Sequence, residues 1–214
     1  MSYGFLDIAI TPSVRAAQVA MGTDHLWRDF AGERASHVFT GSEEAFIAER
    51  DSFYMATVSE TGWPYVQHRG GPRGFLKLVD GRTLAFADYA GNRQYISTGN
   101  LAADGRTCLI LMDYRRRARL KIYAQAEIVA PDAEPALADL VAVPGYRARI
   151  ERIVRLRLEA FDWNCPQHIV PRFTQAEIDE AIRPLHDRLT ALETENAALR
   201  AASASTTNIQ GEHA

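Results

Sequence analysis

Between residues 53 and 160 the chain alternates short apolar runs with turn-type segments. Residues 54–58 and 64–68 flank a polar stretch that ends in Gly62. Residues 75–79 and 83–87 flank Asp80-Gly81, a dipeptide typical of tight hairpins between antiparallel strands. This spacing predicts two successive β-hairpins.

Three further segments have strand patterns. Residues 108–112 are continuously apolar, which predicts a short strand buried on both faces. Residues 120–127 and 154–160 alternate apolar and polar positions, as half-buried antiparallel strands do. With six or seven short strands and few helices between them, the pattern predicts a mainly β (α+β) fold. We expect an antiparallel, closed or partly closed barrel with flanking helices rather than a parallel α/β sheet.

Helices are predicted mainly outside these strands. Thr40 and Glu43 have the spacing of a capping box and predict a helix over about residues 43–50, with Phe46 and Ile47 buried. Residues 132–142 are typical of a second short helix, and another could open near Pro12.

The C-terminal region has a leucine heptad pattern. Thr174 and Glu177 form another capping-box signature before the repeat. The seam consists of Leu185, Leu189, Leu192 and Leu199, with Asn196 at a core position. So short a seam needs a partner, and we expect the helix to pair with its twin in a dimer or to lie on the barrel. A fraying, exposed tail is the alternative, since Pro184 interrupts the helix.

These patterns divide the chain into four parts. Residues 1–40 are predicted to wrap the domain, residues 41–173 to form the barrel, and residues 174–200 to form the C-terminal helix. Residues 201–214 are small and polar, which predicts a disordered tail.

Composition narrows the classes of function. Of the 214 residues, 47% are hydrophobic and 24% charged, as in ordinary globular proteins, and the net charge of −3 argues against nucleic acid as a partner. The chain has only two cysteines, so we do not expect a fold stabilised by several disulfides. The low cysteine content indicates a reducing compartment. The sequence shows no signal-peptide pattern and no run long enough to span a membrane, so we expect a soluble, cytoplasmic protein.

Two glycine-containing segments are candidates for binding chemistry. Residues 67–74 hold three glycines and two arginines, which suits close approach of backbone to a ligand but also suits an ordinary hairpin. Residues 88–97 lead into a predicted helix, and their side chains would suit an anion at its N-terminus, although a capped surface helix is the alternative. The donors in this second segment are Asn92, Arg93, Gln94 and Ser97.

Two other segments complete the set of candidates. Arg119 and Lys121 share one face of a strand, which could equally be a solvated face. Residues 161–172 are irregular, with aromatic and polar side chains between two prolines, and could close a site or cap the barrel. The sequence contains no nucleophile elbow and no paired metal-ligand motif, so an enzyme of this kind would need an organic cofactor.

The order of these segments over residues 40–173 resembles the pyridoxamine 5′-phosphate oxidase-related family of FMN-binding split β-barrels. The resemblance is carried by residues 52–58, by Gly62-Trp63-Pro64-Tyr65-Val66-Gln67, by Gly91-Asn92-Arg93-Gln94 and by Trp163-Asn164-Cys165-Pro166-Gln167-His168. It implies a homodimer with two FMN molecules in the interface.

The resemblance also implies roles for individual residues. The strand Gln67-His68-Arg69-Gly70 would run beside the isoalloxazine, and Ala87 and Asp88 would lie next to the ribityl chain. Arg93 matches the phosphate-binding arginine, with Asn92 and Ser97 near it and Gln94 where relatives often have lysine. Arg119 would reach the flavin, in some relatives from the other subunit, and Trp163, Gln167 and His168 would cover its edge.

The expected function is an FMN-dependent oxidoreductase acting on an unidentified small substrate or nicotinamide donor. His68 and His168 are the best candidates for proton transfer, because histidine titrates near neutral pH. The alternatives are a non-catalytic flavin-binding or storage protein and a split barrel that binds a deazaflavin or haem. Vitamin B6 oxidation is not the leading assignment, because Gly70-Gly71-Pro72-Arg73-Gly74 is an insertion and the C-terminus has a leucine seam instead of the family's substrate-site ending.

Overall fold

The computed structural model describes residues 3–26 and 38–210, which form seven antiparallel strands, six α-helices and one short 3-10 helix (Asp24–Leu26). The strands are β1 (Ser52–Val58), β2 (Pro64–Gly70), β3 (Lys77–Asp80), β4 (Thr83–Tyr89), β5 (Arg106–Asp113), β6 (Ala118–Val129) and β7 (Ile150–Trp163). The helices are α1 (Tyr3–Ala9), α2 (Pro12–Ala20), α3 (Gly41–Ala48), α4 (Ile96–Ala103), α5 (Pro135–Val141) and α6 (Gln175–Gln210).

The strands form one sheet in the order β2-β1-β5-β6-β7-β4-β3. The sheet curls so that its two ends approach each other around one core. The ring of Phe53 on β1 meets the ring of Phe86 on β4 edge-on at 5.2 Å between centroids. Arg69 on β2 forms an ion pair with Asp88 on β4. The predicted six- or seven-stranded antiparallel split barrel with flanking helices and a C-terminal helix is confirmed, and it has seven strands.

The capping box predicted before α3 is present. The Thr40 amide donates to the Glu43 carboxylate at 3.0 Å, and the Thr40 hydroxyl accepts from the amide of Ser42. Phe46 and Ile47 are buried, as the pattern predicts. The helix begins at Gly41 and ends at Ala48, two residues earlier than predicted at each end.

The prediction that the β5 strand is buried on both faces is wrong for the single chain. Its inner residues Leu109 and Leu111 are fully buried, whereas Cys108, Ile110 and Met112 on the outer face are partly exposed. A continuous apolar run cannot tell which elements cover each face, and no described element covers this outer face completely.

Two other strand boundaries differ from the prediction. β3 begins at Lys77 rather than at residue 75, because Phe75 and Leu76 are buried in the turn that precedes the strand. β7 is longer than predicted and extends from Ile150 to Trp163, and its alternating burial over residues 154–160 follows the predicted pattern.

The described N-terminal helices include α1, which lies against β6 and β7. Phe5 stacks on Tyr123 with 4.5 Å between ring centroids, and the Lys121 ammonium lies 4.5 Å from the Phe5 ring centroid. The predicted wrapping segment at 1–40 also includes residues 27–37, which lie outside the described residues.

The chain divides into two units, residues 1–170 and residues 171–214. In the second unit α6 starts after a capping box, in which the Thr174 amide donates to Glu177 at 2.9 Å. The helix continues to Gln210, ten residues beyond the predicted end at residue 200. Residues 211–214 lie outside the described residues.

Candidate functional site

A cavity of about 190 Å3 opens at the free edge of β2, between the end of β4, the start of β7 and the N-terminus of α4. It is lined by Tyr65, Gln67, Arg69, Asp88, Tyr89, Gly91, Asn92, Arg93, Gln94, Tyr95, Ile96, Ser97, Thr98, Glu151 and Arg152. Seven residues that the sequence proposed for cofactor binding are among them: Gln67, Arg69, Asp88, Asn92, Arg93, Gln94 and Ser97.

The β2 strand decides which side chains face this cavity. Alternate residues of a strand point to opposite faces, so Tyr65, Gln67 and Arg69 share the cavity side. His68 therefore points to the outer face, where its ring lies edge-on to Tyr54 at 5.5 Å. The proposed proton-transfer residue does not line the cavity of its own chain.

Asp88 holds two arginines at the bottom of the site. Its carboxylate lies 2.5 Å from Nη1 of Arg69 and 3.3 Å from Nε of Arg152. Asp88 and Arg152 are directly opposite each other on β4 and β7. Burial lowers the pKa of the Arg69 guanidinium, and the Asp88 carboxylate partly offsets that effect. Arg152 also forms an ion pair with Glu151 at 2.6 Å, so the two carboxylates balance the two guanidinium groups at this end of the cavity.

The loop that leads into α4 has an unusual backbone. Arg93 and Tyr95 have φ values of 61° and 53°, in the left-handed region that non-glycine residues rarely adopt. The Asn92 side chain accepts a hydrogen bond from the Gln94 amide at 3.1 Å and stabilises the turn. Such conformations persist where the surrounding structure enforces them, often at ligand sites.

The N-terminus of α4 faces the cavity without a side-chain cap. Tyr95 is the N-cap residue and makes no capping hydrogen bond, while Ile96, Ser97 and Thr98 line the cavity. The first amides of a helix lack intrahelical acceptors and carry partial positive charge. This end of the cavity therefore suits an anionic group.

Hydrogen bonds fix α4 to the barrel. Ser97 donates to the Gln67 side-chain oxygen at 2.9 Å, which leaves the Gln67 amide nitrogen able to donate elsewhere. Arg152 donates to the Thr98 hydroxyl at 3.0 Å. Deeper in the barrel, the buried Asn100 donates to Thr57 at 3.0 Å. The helix start is thus held rigidly against β2 and β7.

Two lining residues carry buried polar atoms without a partner among the described residues. They are Nε of Arg69 and the hydroxyl of Tyr89. Burial raises the pKa of Tyr89, with a smaller contribution from Tyr146, whose ring it meets edge-on at 5.0 Å. Unpaired buried donors are uncommon in folded proteins.

Four other proposed site residues lie away from this cavity, at the adjoining ends of β6 and β7. Arg119 is on the outer face of β6, three strands from β2, which corresponds to about 14 Å across the sheet. Its guanidinium approaches the Cys165 carbonyl at 3.5 Å. Gln167 and His168 lie in an exposed turn, where His168 has a φ of 63°.

Trp163 has contacts that the sequence did not suggest. Its indole N–H donates to the Glu43 carboxylate at 2.6 Å, and its ring meets Phe46 edge-on at 4.7 Å. Burial of the Glu43 carboxylate works to raise its pKa, but hydrogen bonds from Thr40 and Trp163 outweigh this and lower the pKa. In the single chain Trp163 thus joins the end of β7 to the cap of α3.

The remaining proposed residues, Ala87 and Gly70, lie on β4 and at the end of β2. Ala87 is buried in a small apolar cluster with α5, so only its backbone is near the Asp88 side of the site. Gly70 is exposed at the last position of β2.

The local backbone itself requires glycine within residues 67–74, in addition to any requirement of a ligand. A side chain at Gly71 would come within 2.7 Å of the Phe75 ring, and Gly74 has a φ of +75°. Two of the three glycines are therefore required by the turn before β3. This favours the interpretation of the segment as a hairpin connection at those two positions.

Several cavity residues were missed from the sequence. Tyr65 could have been found, because it is two positions before Gln67 on the same strand face. Arg152 and Glu151 come from β7 and reach the site only through the pairing of β7 with β4, for which the sequence holds no local signal. Tyr95 was passed over inside a segment otherwise recognised; its ring lies 4.6 Å from the Arg152 guanidinium carbon.

Two classes of site are absent from the described part of the chain. Residues 3–26 and 38–210 hold no group of three or more histidine, cysteine or acidic residues that could bind a metal ion. Nor is any helix there both long enough and apolar enough to cross a membrane.

The fold and the site define an antiparallel split barrel with a cationic cavity at one open edge. The family model described as pyridoxamine 5′-phosphate oxidase matches residues 39–157, more than half of the chain. The chain belongs to this family, as its sequence pattern predicted. No curated protein matches it.

Solved structures similar to this chain have low sequence identity to it. A Clostridium acetobutylicum protein related to general stress protein 26, of the pyridoxinephosphate oxidase family, is 15% identical (TM-score 0.44, covering 64% of this chain and 94% of that one). An FMN-binding protein from Syntrophomonas wolfei is 12% identical (TM-score 0.44, 72% and 95%). An F420 reductase is 21% identical (TM-score 0.41, 58% and 98%).

Proposed function

We propose that this chain is an FMN-binding flavoprotein and an oxidoreductase that transfers a hydride between the flavin and a small substrate or nicotinamide donor. The observation that carries the proposal is the cavity at the edge of β2. There the uncapped start of α4, the exposed Arg93 and the backbone of β2 converge on one anion-binding corner. Family membership supports a flavin as the ligand, and this corner suits its phosphate.

The phosphate would lie against Arg93 and the first amides of α4. Arg93 is exposed and has no hydrogen-bond or ion-pair partner among the described residues, so its guanidinium is available to a ligand. Ser97 and Gln94 add polar groups beside it. Gln94 stands where relatives often have lysine. Asp88 and Glu151 balance the charges of Arg69 and Arg152, so Arg93 supplies the net positive charge of the cavity.

The rest of the cofactor would extend along β2 toward solvent. Ligand pockets usually enclose about 300–1,000 Å3, whereas this cavity encloses about 190 Å3. A cofactor of flavin size therefore needs further walls. Gln67, with a free amide nitrogen, and Gly70 would flank the ring, while Asp88 and the Ala87 backbone would lie beside the ribityl chain.

A second copy of the chain is the proposed source of those walls. The outer face of β2, β1 and β5 carries an apolar patch made of Tyr54, Val58, Val66 and Ile110, of which Val66 is 60% exposed. Patches of this kind on a soluble domain commonly mark interfaces. His68 lies in the same face, so it would stand at the subunit boundary.

Dimerisation would also explain why four proposed site residues lie far from the cavity of their own chain. Arg119 cannot reach the cavity of its own chain from the outer face of β6. From a second subunit, Arg119, Trp163, Gln167 and His168 could cover the exposed edge of the flavin. A homodimer thus reconciles two groups of residues that one chain keeps apart.

The bound flavin would supply the redox chemistry, accepting or donating a hydride. The chain would bind its phosphate, orient its ring along β2 and exclude water at the subunit boundary. His68 and His168 remain the best candidates for moving a proton to or from substrate, as both are exposed. The low cysteine content supports a cytoplasmic location.

Other cofactors make different demands on the cavity. Among the described residues that line it there is no histidine, cysteine or methionine, which disfavours haem with one of these axial ligands. A deazaflavin shares the ribityl phosphate and would use the same corner. FAD is less favoured than FMN, because one anion site is visible and no dinucleotide motif occurs. A storage protein would bind flavin without turning it over.

The proposal is tested on the purified protein. We expect a yellow protein whose released ligand has the spectrum and mass of FMN, and an apoprotein that binds FMN more tightly than FAD in a fluorescence titration. A released deazaflavin or haem, or no affinity for FMN, would reject the cofactor. Bleaching of the flavin by NADH or NADPH separates an oxidoreductase from a store.

A further inference from the structure

The helix α6 carries a continuous heptad seam that is exposed to solvent. Taking Leu185 as position d, the d positions are Ile178, Leu185, Leu192 and Leu199, and the a positions are Ile182, Leu189 and Asn196. The leucine side chains are 43–69% exposed. Seven successive a and d positions over 22 residues correspond to about 33 Å of helix with one unpartnered apolar stripe.

We infer that α6 pairs with α6 of a second copy of this chain as a parallel, in-register, two-stranded coiled coil. This assignment of a partner and an orientation is independent of the cofactor, since it uses only residues of α6. Leucine at every d position after Ile178 suits two strands in a parallel arrangement.

The charges beside the seam favour this orientation. In a parallel dimer the g residue of one helix meets the e residue of the next heptad on the other helix. Arg188 at g would face the partner's Glu193 at e, and Glu195 at g would face the partner's Arg200. Both pairs are attractive, and two-fold symmetry repeats each of them. A helix that packed on a barrel surface would not require opposite charges at these e and g positions.

The polar core residue argues against the antiparallel arrangement. In a parallel, in-register pair each a residue faces the same a residue, so Asn196 meets the partner's Asn196 and the two amides can hydrogen-bond. In an antiparallel pair a positions face d positions, and all four d residues are apolar. Asn196 would then be buried against a leucine or isoleucine with its amide unsatisfied.

Pro184 does not interrupt the seam. It lies inside the helix at heptad position c, on the side away from a and d. The backbone N–H that proline lacks is therefore lost from the outer side, where water can satisfy the freed carbonyl.

Cross-linking of the full-length chain tests both the partner and the orientation. Because Cys165 is exposed, the variants are made with Cys165→Ser. Under mild oxidation we expect Leu199→Cys to form a covalent dimer joined between the two equivalent positions, because d residues face each other in a parallel pair. The matched control Ala198→Cys, at position c, should stay monomeric under denaturing electrophoresis.

Charge exchange provides a second test that does not rely on a core substitution. Glu193→Arg should lower the melting temperature of the dimer, since it places two arginines opposite each other. The double variant Arg188→Glu/Glu193→Arg should restore it, because the attraction is only reversed. The control Asp187→Arg, at the outer position f, should leave the melting temperature unchanged.

The outcomes separate the alternatives. Absence of the Leu199→Cys cross-link, or equal cross-linking by Ala198→Cys, would overturn the coiled coil. A cross-link between Leu199→Cys and an a-position thiol introduced by Ile182→Cys in a mixed sample, without self-linking of either, would overturn the parallel orientation. Failure of the double variant to recover would overturn the proposed charge pairs.

Discussion

The cavity at the edge of β2 and the seam of α6 are built in opposite ways. The cavity collects side chains from β2, β4, α4 and β7, and its central ion pair joins residues 69 and 88 to residue 152. The seam lies on one continuous helix, and its pattern can be read at intervals of three and four residues. One site depends on strand pairing, the other on helical periodicity.

This difference determines where each region is vulnerable. A substitution in the cavity acts on charges that several elements share, so it should affect both ligand binding and the barrel. A substitution in α6 acts on a helix that belongs to a separate structural unit. The predictions below test this separation, each with a control taken from the other region where one exists.

The largest expected effect follows from removing the charge of Asp88. Asp88→Asn would leave Arg69 without a carboxylate partner among the described residues and close to Arg152, which keeps Glu151 as its counter-ion. The side chains of Asp88, Arg69 and Arg152 are at most 14% exposed. Loss of one partner of a buried ion pair costs about 3 kcal/mol of the free energy of unfolding. Urea titration of the variant measures this, with Asp187→Asn on the exposed face of α6 as the control. Equal midpoints for both variants would contradict the central role of Asp88.

Next in size is the effect of Arg93 on FMN affinity. Arg93→Ala removes a charge-assisted hydrogen bond to the proposed phosphate, worth about 1.5–3 kcal/mol, which is about a 10- to 100-fold rise in Kd. Fluorescence titration with FMN measures the change. The matched control is Arg183→Ala, which removes an exposed arginine on α6. This variant should bind FMN with the affinity of the unchanged protein. Unaltered affinity after Arg93→Ala would reject the phosphate assignment.

Truncation before Pro184 should have a smaller effect, confined to the dimer. We expect a melting temperature lower by a few degrees, about 1 kcal/mol for a domain of this size, because the seam no longer joins two chains. The FMN absorption spectrum should stay the same, since no proposed flavin residue lies beyond position 168. Loss of flavin would show that the helix belongs to the site.

The smallest expected effect concerns the contact between Trp163 and Glu43. Because the pKa of Glu43 is lowered in the folded protein, its contribution to stability is complete above the ordinary value of 4.5. That contribution disappears as the pH falls through the lower folded value. Trp163→Phe, which removes a hydrogen bond worth about 1 kcal/mol, should weaken this acid dependence. Thermal melts between pH 7 and pH 3 measure it.

The same variant separates two roles of Trp163. If its role is structural, Trp163→Phe should change stability while FMN affinity stays the same. If it covers the flavin from a second subunit, the affinity should fall as well. The contacts in the single chain favour the structural role, and the dimer would allow both.

The strand pattern predicted much of the fold because its signals are local. The alternation in β7, the Asp80-Gly81 turn before β4 and the two capping boxes each involve residues within a few positions of one another. The predictions were wrong where the burial of a strand face depends on which other elements pack against it. For β5, the apolar run suggested burial on both faces, but Ile110 is 36% exposed because no described element covers it.

The candidate site was predicted in part for the same reason. Gln67, Arg69 and Arg93 could be proposed because each lies in a segment with a recognisable turn or glycine pattern. His68 was grouped with them by proximity in sequence, yet strand alternation puts it on the opposite face. No local sequence pattern marked Arg152. It lies beside Asp88 because β7 pairs with β4, and the two residues are 64 positions apart in the chain.

The sequence by itself thus determined the element types, the family and the heptad seam, because hydrophobic periodicity, capping and turn chemistry act over a few residues. Only the tertiary structure decided which side chains share the cavity, since the pairing of β4 with β7 and the docking of α4 on β2 bring together residues that are far apart in the chain. Those contacts form when the sheet curls around its core, and the free energy of burying that core is a property of the whole barrel rather than of any one segment.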